Sequence, residues 1–536
     1  FGTGALKITP AHDFNDFEIA QRHNLAFHTV IDFDGSIAPS VSQLGSPQYG
    51  GLDRAVCRKK IWADLEAAGL ALKIEDHPQR VPLSQRSGEV IEPMLSDQWF
   101  ATTEVMAQRA MDAVESGEIT IQPDRFAKIW RGWLQEKQPW CISRQLWWGH
   151  RIPVYYVTNR PGVEKYFVAR SEEEAMTQAR SELGEDVELQ QDPDVLDTWF
   201  SSGLWPFAAV GWPNEESDDY KKFYPAAMLE TGYDILFFWV ARMVMMGLTL
   251  TDKVPFKEIY LHGLVRDEKG QKMSKTKGNV VDPLDSMAEY GTDALRYALL
   301  TSSVAGMDTS VSKGMLENAK AFANKIWNVG RFIITDLEKN QATTPTAFES
   351  GMQLSESEIR GMPWLERALI SKCHGLVNSV TAALLENRFS PPTKEIKEFL
   401  VDDVASWYVE ASKTRLQAHL GGDPSSEMAA TSQKVLLYLL EVSLKLLHPF
   451  MPYVTEAVWQ RMPRGASSPE SLMISPWPEL SSMARDLEAE GWFTKLCALV
   501  SSIRNARAEQ GIPPKDRLPL TFWCRDPAFQ AALGAE

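Results

Sequence analysis

Cysteine is scarce: Cys57, Cys141, Cys373, Cys497 and Cys524 are scattered over 536 residues and form no CxxC pair. That speaks against a disulfide framework and against a cysteine-based zinc knuckle, and reduced thiols in a cytosol-like compartment are expected. Positive charge is short as well, with 55 Lys and Arg against 71 Asp and Glu, a net charge of −16. The deficit weighs against a general nucleic-acid binder and no DNA partner is expected, but RNA can still be held by a local basic surface. No long hydrophobic run occurs. The most apolar stretch, Ile235 to Leu250, contains Arg242 and follows Asp234, and it reads as a buried helix too short and too charged to cross a bilayer. No secretory signal is seen, and Phe1-Gly2-Thr3-Gly4 without an initiator Met reads as a chain entered midway. With 44% hydrophobic and 24% charged residues, the expectation is a large, soluble, multidomain protein, cytoplasmic unless an organelle claims it, with no membrane partner.

The chain changes character along its length. In residues 1–75, Ala5-Leu6-Lys7-Ile8-Thr9 predicts a strand stopped by Pro10, and Asp13 to Arg22 predicts a helix. Residues 80–320 are rich in Trp and Pro. Short apolar strands such as Pro153-Val154-Tyr155-Tyr156-Val157 and Ile259-Tyr260-Leu261 lie between helices there, an α/β layer pattern. Ser171 to Gln191 reads as a small polar surface insertion. After about residue 315, Leu436, Leu440, Leu444 and Leu447 recur at helical spacing, as do Val404, Trp407, Tyr408 and Ala411. Asn340 to Ser357 reads as a linker. An α/β part followed by a helical bundle is predicted, without internal repeats.

The sharpest local signal is Lys272-Met273-Ser274-Lys275-Thr276-Lys277-Gly278-Asn279. Two lysines three apart, a hydroxyl on each side of the second and hinges at Gly270 and Gly278 suit a loop that closes over a triphosphate. Ammonium groups offset charge building on phosphoryl oxygens, and glycines permit closure. A solvated basic turn is the plainer alternative. His262-Gly263-Leu264-Val265-Arg266-Asp267 precedes the loop, and Asp282-Pro283 and Tyr290-Gly291-Thr292-Asp293-Ala294-Leu295-Arg296 follow it. This ordered set resembles the second signature of class I aminoacyl-tRNA synthetases, usually written KMSKS, with Thr276 keeping the last hydroxyl. The resemblance implies ATP with Mg²⁺ as cofactors. Lys272 and Lys275 would stabilise the transition state of adenylate formation, Met273, Ser274, Lys275 and Thr276 would hold ATP, and His262 and Gly263 would lie beside the adenosine.

Gly232-Tyr233-Asp234-Ile235-Leu236-Phe237-Phe238-Trp239-Val240-Ala241-Arg242-Met243 places Ile235 and Trp239 four apart, on one face of an α-helix with Asp234 at its start. By periodicity alone this is a core helix whose aromatics pack. The string resembles the valine-specific version of the family's pocket, and Asp192-Pro193-Asp194-Val195-Leu196-Asp197-Thr198-Trp199-Phe200 agrees. By that resemblance Trp199, Ile235 and Trp239 surround the substrate side chain, with Asp234 nearby. Two rigid indoles would admit an isopropyl group and exclude the longer isoleucine branch.

Such a slot cannot reject an isostere. For the valine-specific enzymes discrimination against threonine is about a hundredfold, a value taken over and not worked from these residues, so a hydrolytic second site is expected. Gly2-Thr3-Gly4-Ala5-Leu6-Lys7-Ile8-Thr9-Pro10-Ala11-His12-Asp13-Phe14-Asn15-Asp16 resembles the end of the family's editing insertion. Lys7, Thr9, Asp13 and Asp16 would line its pocket, with Asp16 on the substrate ammonium. Asp13 and Asp16 equally fit the N-cap and N3 positions of the following helix. Trp147 and Trp148, in Trp140 to Pro153, could stack on RNA or pack, and packing is the reading preferred here. Arg504 and Arg507 are candidate phosphate contacts. No metal-ligating set is identified.

The resemblance implies an α/β fold: the second half of a Rossmann-like synthetase catalytic domain at 79–315, with a small insertion at 165–191. The end of an editing insertion precedes it at 1–78. An all-α anticodon-binding bundle follows at 316–500, and 501–536 begin a further region. The implied partners are valine, ATP and tRNA(Val). The family's other ATP motif, His-Ile-Gly-His, is not among these residues, so the chain as given is expected not to form adenylate. Isoleucine- or leucine-specific relatives, a small-substrate nucleotidyltransferase and a non-catalytic tRNA-binding derivative are the rival readings.

Overall fold

The computed structural model describes all residues except 1–3, 77, 79, 85–86, 137–138, 163, 274–277, 340–353, 421–426, 464–467, 479–484, 514–515, 522 and 536. It divides into two compact units, Phe1–Glu104 with Gln138–Ser201, and Val105–Lys137 with Ser202–Glu536.

In the first unit the expected helix forms at Phe14–His23, and Asp13 is its N-cap, accepting from the Asp16 N–H at 3.0 Å. The strand expected at Ala5–Thr9 does not form: none of these residues lies in a strand. A Pro and a cap follow at once, and tethering comes from side chains instead. His12 is one tether, with Nδ1 on the Pro93 carbonyl at 2.9 Å and Nε2 accepting from the Val30 N–H at 2.9 Å. Val154–Val157 is the middle of a three-stranded antiparallel sheet with Tyr166–Val168 and Leu189–Gln191. The polar stretch after Ser171 supplies helix Glu172–Leu183, whose Ala175 and Ala179 bury against Tyr155 and Phe167. The insertion therefore has a small core of its own.

The second unit holds a three-stranded parallel sheet in the order Thr120–Gln122, Phe256–His262, Ala226–Gly232. The central strand buries Ile259 and Leu261 completely, as expected for a parallel strand covered on both faces. Helix Arg125–Gln135 contributes Phe126, Trp130 and Leu134 at four-residue spacing to the same core. Between the two longer strands the chain runs through a 3₁₀ turn (Tyr233–Ile235), a π-helical segment (Leu236–Val240) and helix Ala241–Thr251. Tyr233–Thr251, 19 residues, and Trp364–Leu385, 22 residues, are long and apolar enough by composition to cross a membrane. This corrects the expectation that the first is too short. Both are 56% buried within the fold, the condition of core helices.

The bundle follows, built mainly from Lys313–Lys339, Trp364–Leu385, Glu427–Leu447 and Leu487–Glu509. Leu436, Leu440, Leu444 and Leu447 are all buried. The second predicted stripe is corrected in one position. Phe399–Tyr408 is π-helical, which shifts the register, so Val404, Ala405, Tyr408 and Val409 face the core and Ala411 is exposed. Glu366 is fully buried and is held by Arg415, by the Tyr408 hydroxyl at 3.0 Å and by Ser432. Asp293, in helix Thr292–Ser302, accepts from the Tyr453 and Val454 N–H groups at 3.2 and 2.6 Å, capping helix Pro452–Trp459 from outside. This fastens the segment after the lysine loop to the bundle.

Candidate functional site

In an open parallel sheet, ligands are held outside the carboxyl ends of the strands, where the loops diverge. Here those ends are Gly232 and His262, which are paired in register. A Cβ on Gly232 would stand 2.7 Å from Asp234 Oδ1 and 3.5 Å from His262 Cε1, so the bare glycine makes room for both groups. His262 Nδ1 lies 2.7 Å from the Gly263 carbonyl, which can only accept, so that nitrogen carries the proton. His262 Nε2 faces Glu230 Oε1 at 3.3 Å. Gly263 admits no side chain, because a Cβ there would overlap the Met307 carbonyl oxygen at 1.7 Å.

Beyond Gly263 the chain is fastened by Asp308. Its carboxylate accepts from the Leu264 N–H at 2.8 Å and from Arg266 Nε at 2.5 Å. The Leu264 N–H, then Arg266 and Tyr233, hold the Asp308 carboxyl below the usual range. The same bond to Asp308 pushes the Tyr233 phenol up. Arg266 pairs antiparallel with Lys272. Asp267 caps the turn through the Gln271 N–H at 2.7 Å and accepts from Asn279 Nδ2 at 2.9 Å. Asn279 also reaches the Lys272 carbonyl, at 3.4 Å. The predicted loop is thus closed at its base by Asp267 and Asn279, with Gly270 and Gly278 both at positive φ, which glycine adopts without strain. Lys272 and Met273 flank it, whereas Ser274, Lys275 and Thr276 lie outside the described residues.

Asp234 is exposed, and Ile235 and Trp239 are half-buried. The Trp239 indole N–H donates to the Ser202 carbonyl at 3.0 Å. Ile235 and Trp239 are not a single α-helical face, since the 3₁₀-to-π transition falls between them. Trp199 belongs to the other unit, where Asp197 Oδ1 accepts from its N–H at 2.9 Å. In that same unit Lys7, Thr9, Asp13 and Asp16 come together. Asp16 Oδ2 accepts from the Thr9 N–H at 2.7 Å, and Lys7 Nζ donates to the Thr9 hydroxyl at 3.2 Å.

Trp147 and Trp148 do not pack: they are 105% and 92% exposed, on a loop tied down by Arg144 to Asp197 and by Gln145 to Asp194. Arg507 is engaged internally with the Pro513 and Asp516 carbonyls, and Arg504 stacks over Trp407 at 5.2 Å. Sequence reasoning missed Glu230, Asp308 and Asn279. Asn279 could have been suspected from its place beside the loop. Glu230 and Asp308 come from distant segments and carry no local signal.

Residues 14–312 match the family described as tRNA synthetases class I (I, L, M and V), and residues 366–522 match the anticodon-binding domain of tRNA ligase. The chain belongs to the class I tRNA synthetases. This synthetase chain is 49% identical over 97% of its length to the chloroplastic/mitochondrial valine--tRNA ligase 2 of Arabidopsis thaliana, covering 52% of that protein. It is 43% identical to the valine--tRNA ligase of Thermotoga maritima, covering 97% of this chain and 55% of that one. It therefore spans about half the length of the curated relatives it matches. Mycobacterium tuberculosis methionyl-tRNA synthetase, solved with methionyl-adenylate, shares the fold at a TM-score of 0.54 and 17% identity, over 86% of this chain and 85% of that one.

Proposed function

We propose that this chain is the part of a valine--tRNA ligase that carries the KMSKS-type loop, the amino-acid pocket and the anticodon-binding bundle. The observation that carries this reading is the 49% identity to a valine--tRNA ligase across 97% of the chain. In the reaction, the valine carboxylate attacks the α-phosphate of ATP, forming valyl-adenylate and releasing pyrophosphate. The terminal adenosine hydroxyl of tRNA(Val) then takes the valyl group and releases AMP.

His262, Gly263 and Gly232, at the carboxyl ends of the parallel strands, would bed the adenosine. Lys272 and Lys275 would bring positive charge to the phosphates as the loop closes on the Asp267–Asn279 base. Ile235 and Trp239 would bound the isopropyl group, with Asp234 toward the ammonium. The work is positioning and charge stabilisation. Among the described residues no group of three His, Cys, Asp or Glu could hold a metal ion. Mg²⁺ would accompany the triphosphate.

The Lys7–Thr9–Asp13–Asp16 cluster supports an editing role, with a part-buried Asp16 as the ammonium acceptor for a threonyl group. Charging by a longer protein containing this chain, with valine, isoleucine and threonine, tests the assignment. Preference for valine is expected, and Asp16→Ala should leave Thr-tRNA standing. Equal charging with isoleucine overturns the pocket, and unchanged Thr-tRNA clearance removes the editing role. The chain alone is expected to give no pyrophosphate exchange, and near-normal exchange would refute that.

A further inference from the structure

The segment 306–311, downstream of the lysine loop, folds back alongside the residues that lead into it. The Gly306 N–H donates to the Leu261 carbonyl at 2.7 Å, the Thr309 N–H to the Leu264 carbonyl at 3.0 Å and the Val311 N–H to the Arg266 carbonyl at 3.4 Å. Val265 and Arg266 pair in parallel with Thr309 and Ser310. Arg125 also donates to the Gly306 carbonyl. These bonds run to backbone groups, so the segment is held without help from the side chain at 308.

What the Asp308 side chain adds is a junction. Its carboxylate accepts from Arg266 through both Nε and Nη2. Arg266 Nη1 reaches on to the Gly270 carbonyl at 3.3 Å. Gly270 lies in the turn just ahead of Lys272, and Lys272 pairs antiparallel with Arg266 itself. One planar guanidinium therefore spans the carboxylate and the turn, and the carboxylate fixes its plane. The Tyr233 phenol faces the same carboxylate. Its ring stacks on the buried Phe126 at 5.8 Å, and Tyr233 begins the 3₁₀ turn that carries Asp234 and Ile235. A single carboxylate is thus shared by the entry to the lysine loop and the start of the pocket string.

We propose that Asp308 is a positioning residue for adenylate formation: through Arg266 it fixes where Lys272 stands as the loop meets the triphosphate, and through Tyr233 it ties that placement to the amino-acid pocket. The proposal rests on the reading of Lys272 as a phosphate lysine and of Asp234 and Ile235 as pocket residues. Asn at 308 would keep the shape and an acceptor for the Leu264 N–H, but it would lose the charge that holds Arg266, and the turn would lose its brace. Lys272 acts on charge that develops as the α-phosphate is attacked, so its displacement costs rate and not substrate binding.

The test is valine-dependent pyrophosphate exchange by a longer protein containing this chain. Asp308→Asn should lower kcat roughly ten- to a hundredfold, the worth of a hydrogen bond to a charged group, while the KM values for ATP and valine stay within about threefold. Tyr233→Phe keeps the ring on Phe126 and should lower kcat by a smaller factor, again without a rise in KM. Because Tyr233 acts through Asp308, the double variant should be no slower than Asp308→Asn alone. A merely structural role would raise the KM values along with the loss in kcat, and the two losses would multiply. Either of those results, or a kcat for Asp308→Asn within about twofold of the unaltered protein, overturns the proposal. Lys272→Gln tests the reading beneath it. If that variant keeps its kcat, the phosphate role of the loop fails and the proposal falls with it. A large loss there beside an unchanged Asp308→Asn sinks only the link.

Discussion

Gly263→Ala should loosen the base of the lysine loop without touching any residue of the loop itself. The added methyl would sit 1.7 Å from the Met307 carbonyl oxygen, 2.0 Å from its carbon and 2.5 Å from the Asp308 nitrogen. All three are backbone atoms, so no rotamer change relieves the overlap and the 307–308 segment must move by an ångström or more. Asp308 then leaves the Leu264 N–H, which it now accepts at 2.8 Å. A hydrogen bond to a charged acceptor is worth about 1.5–3 kcal/mol, so exchange of the Leu264 amide should speed up roughly ten- to a hundredfold. Gly270→Ala is the comparison. Nothing lies within 4 Å of a Cβ there, but φ is +73°, so it should strain its own turn by about 1–2 kcal/mol and leave the Leu264 amide alone. Amide hydrogen exchange with mass or NMR detection reads both. Leu264 exchange in Gly263→Ala within twofold of the unaltered chain would refute the argument that Asp308 is held in place by the missing side chain.

Arg415→Met should strand the buried Glu366 carboxylate and cost about 3–5 kcal/mol, seen as a lower urea midpoint of the helical signal, and a loss under 1 kcal/mol would contradict its burial. His374 is buried against the Tyr438 hydroxyl at 2.9 Å, and burial holds its imidazole below the ordinary value of about 6.5. With the folded value depressed, its contribution is full above that pH and is lost as pH falls below it. Bundle stability should therefore decline on mild acidification, and His374→Gln should abolish this part of the slope. Trp147→Ser with Trp148→Ser should change the unfolding free energy of the chain by no more than about 0.5 kcal/mol, since neither indole is buried. A large loss would show that they pack after all.

The α/β-then-bundle order was legible because it is written in local periods and punctuation: apolar runs at Ile259–Leu261, four-residue spacing from Leu436 to Leu447, the acid at Asp13 that caps its own helix. The loop was legible for the same reason, since Lys272 and its glycines are contiguous. Helix type was not. Whether Leu236–Val240 and Phe399–Tyr408 wind as α or π depends on which neighbours their side chains meet, and that choice moved Ala411 out of the core. Nor was the fate of Trp147 and Trp148, because an indole is apolar whether or not anything covers it.

By itself the sequence determined the contiguous features, since lysines, glycines and caps lie within a few residues of one another. Only the tertiary structure decided which distant groups complete them. Glu230 reaches His262 from the neighbouring strand, and Asp308 anchors Leu264 and Arg266 from 44 and 42 residues away. Those meetings are set by strand register and helix packing, which are properties of the whole fold and leave no mark in any short stretch of residues.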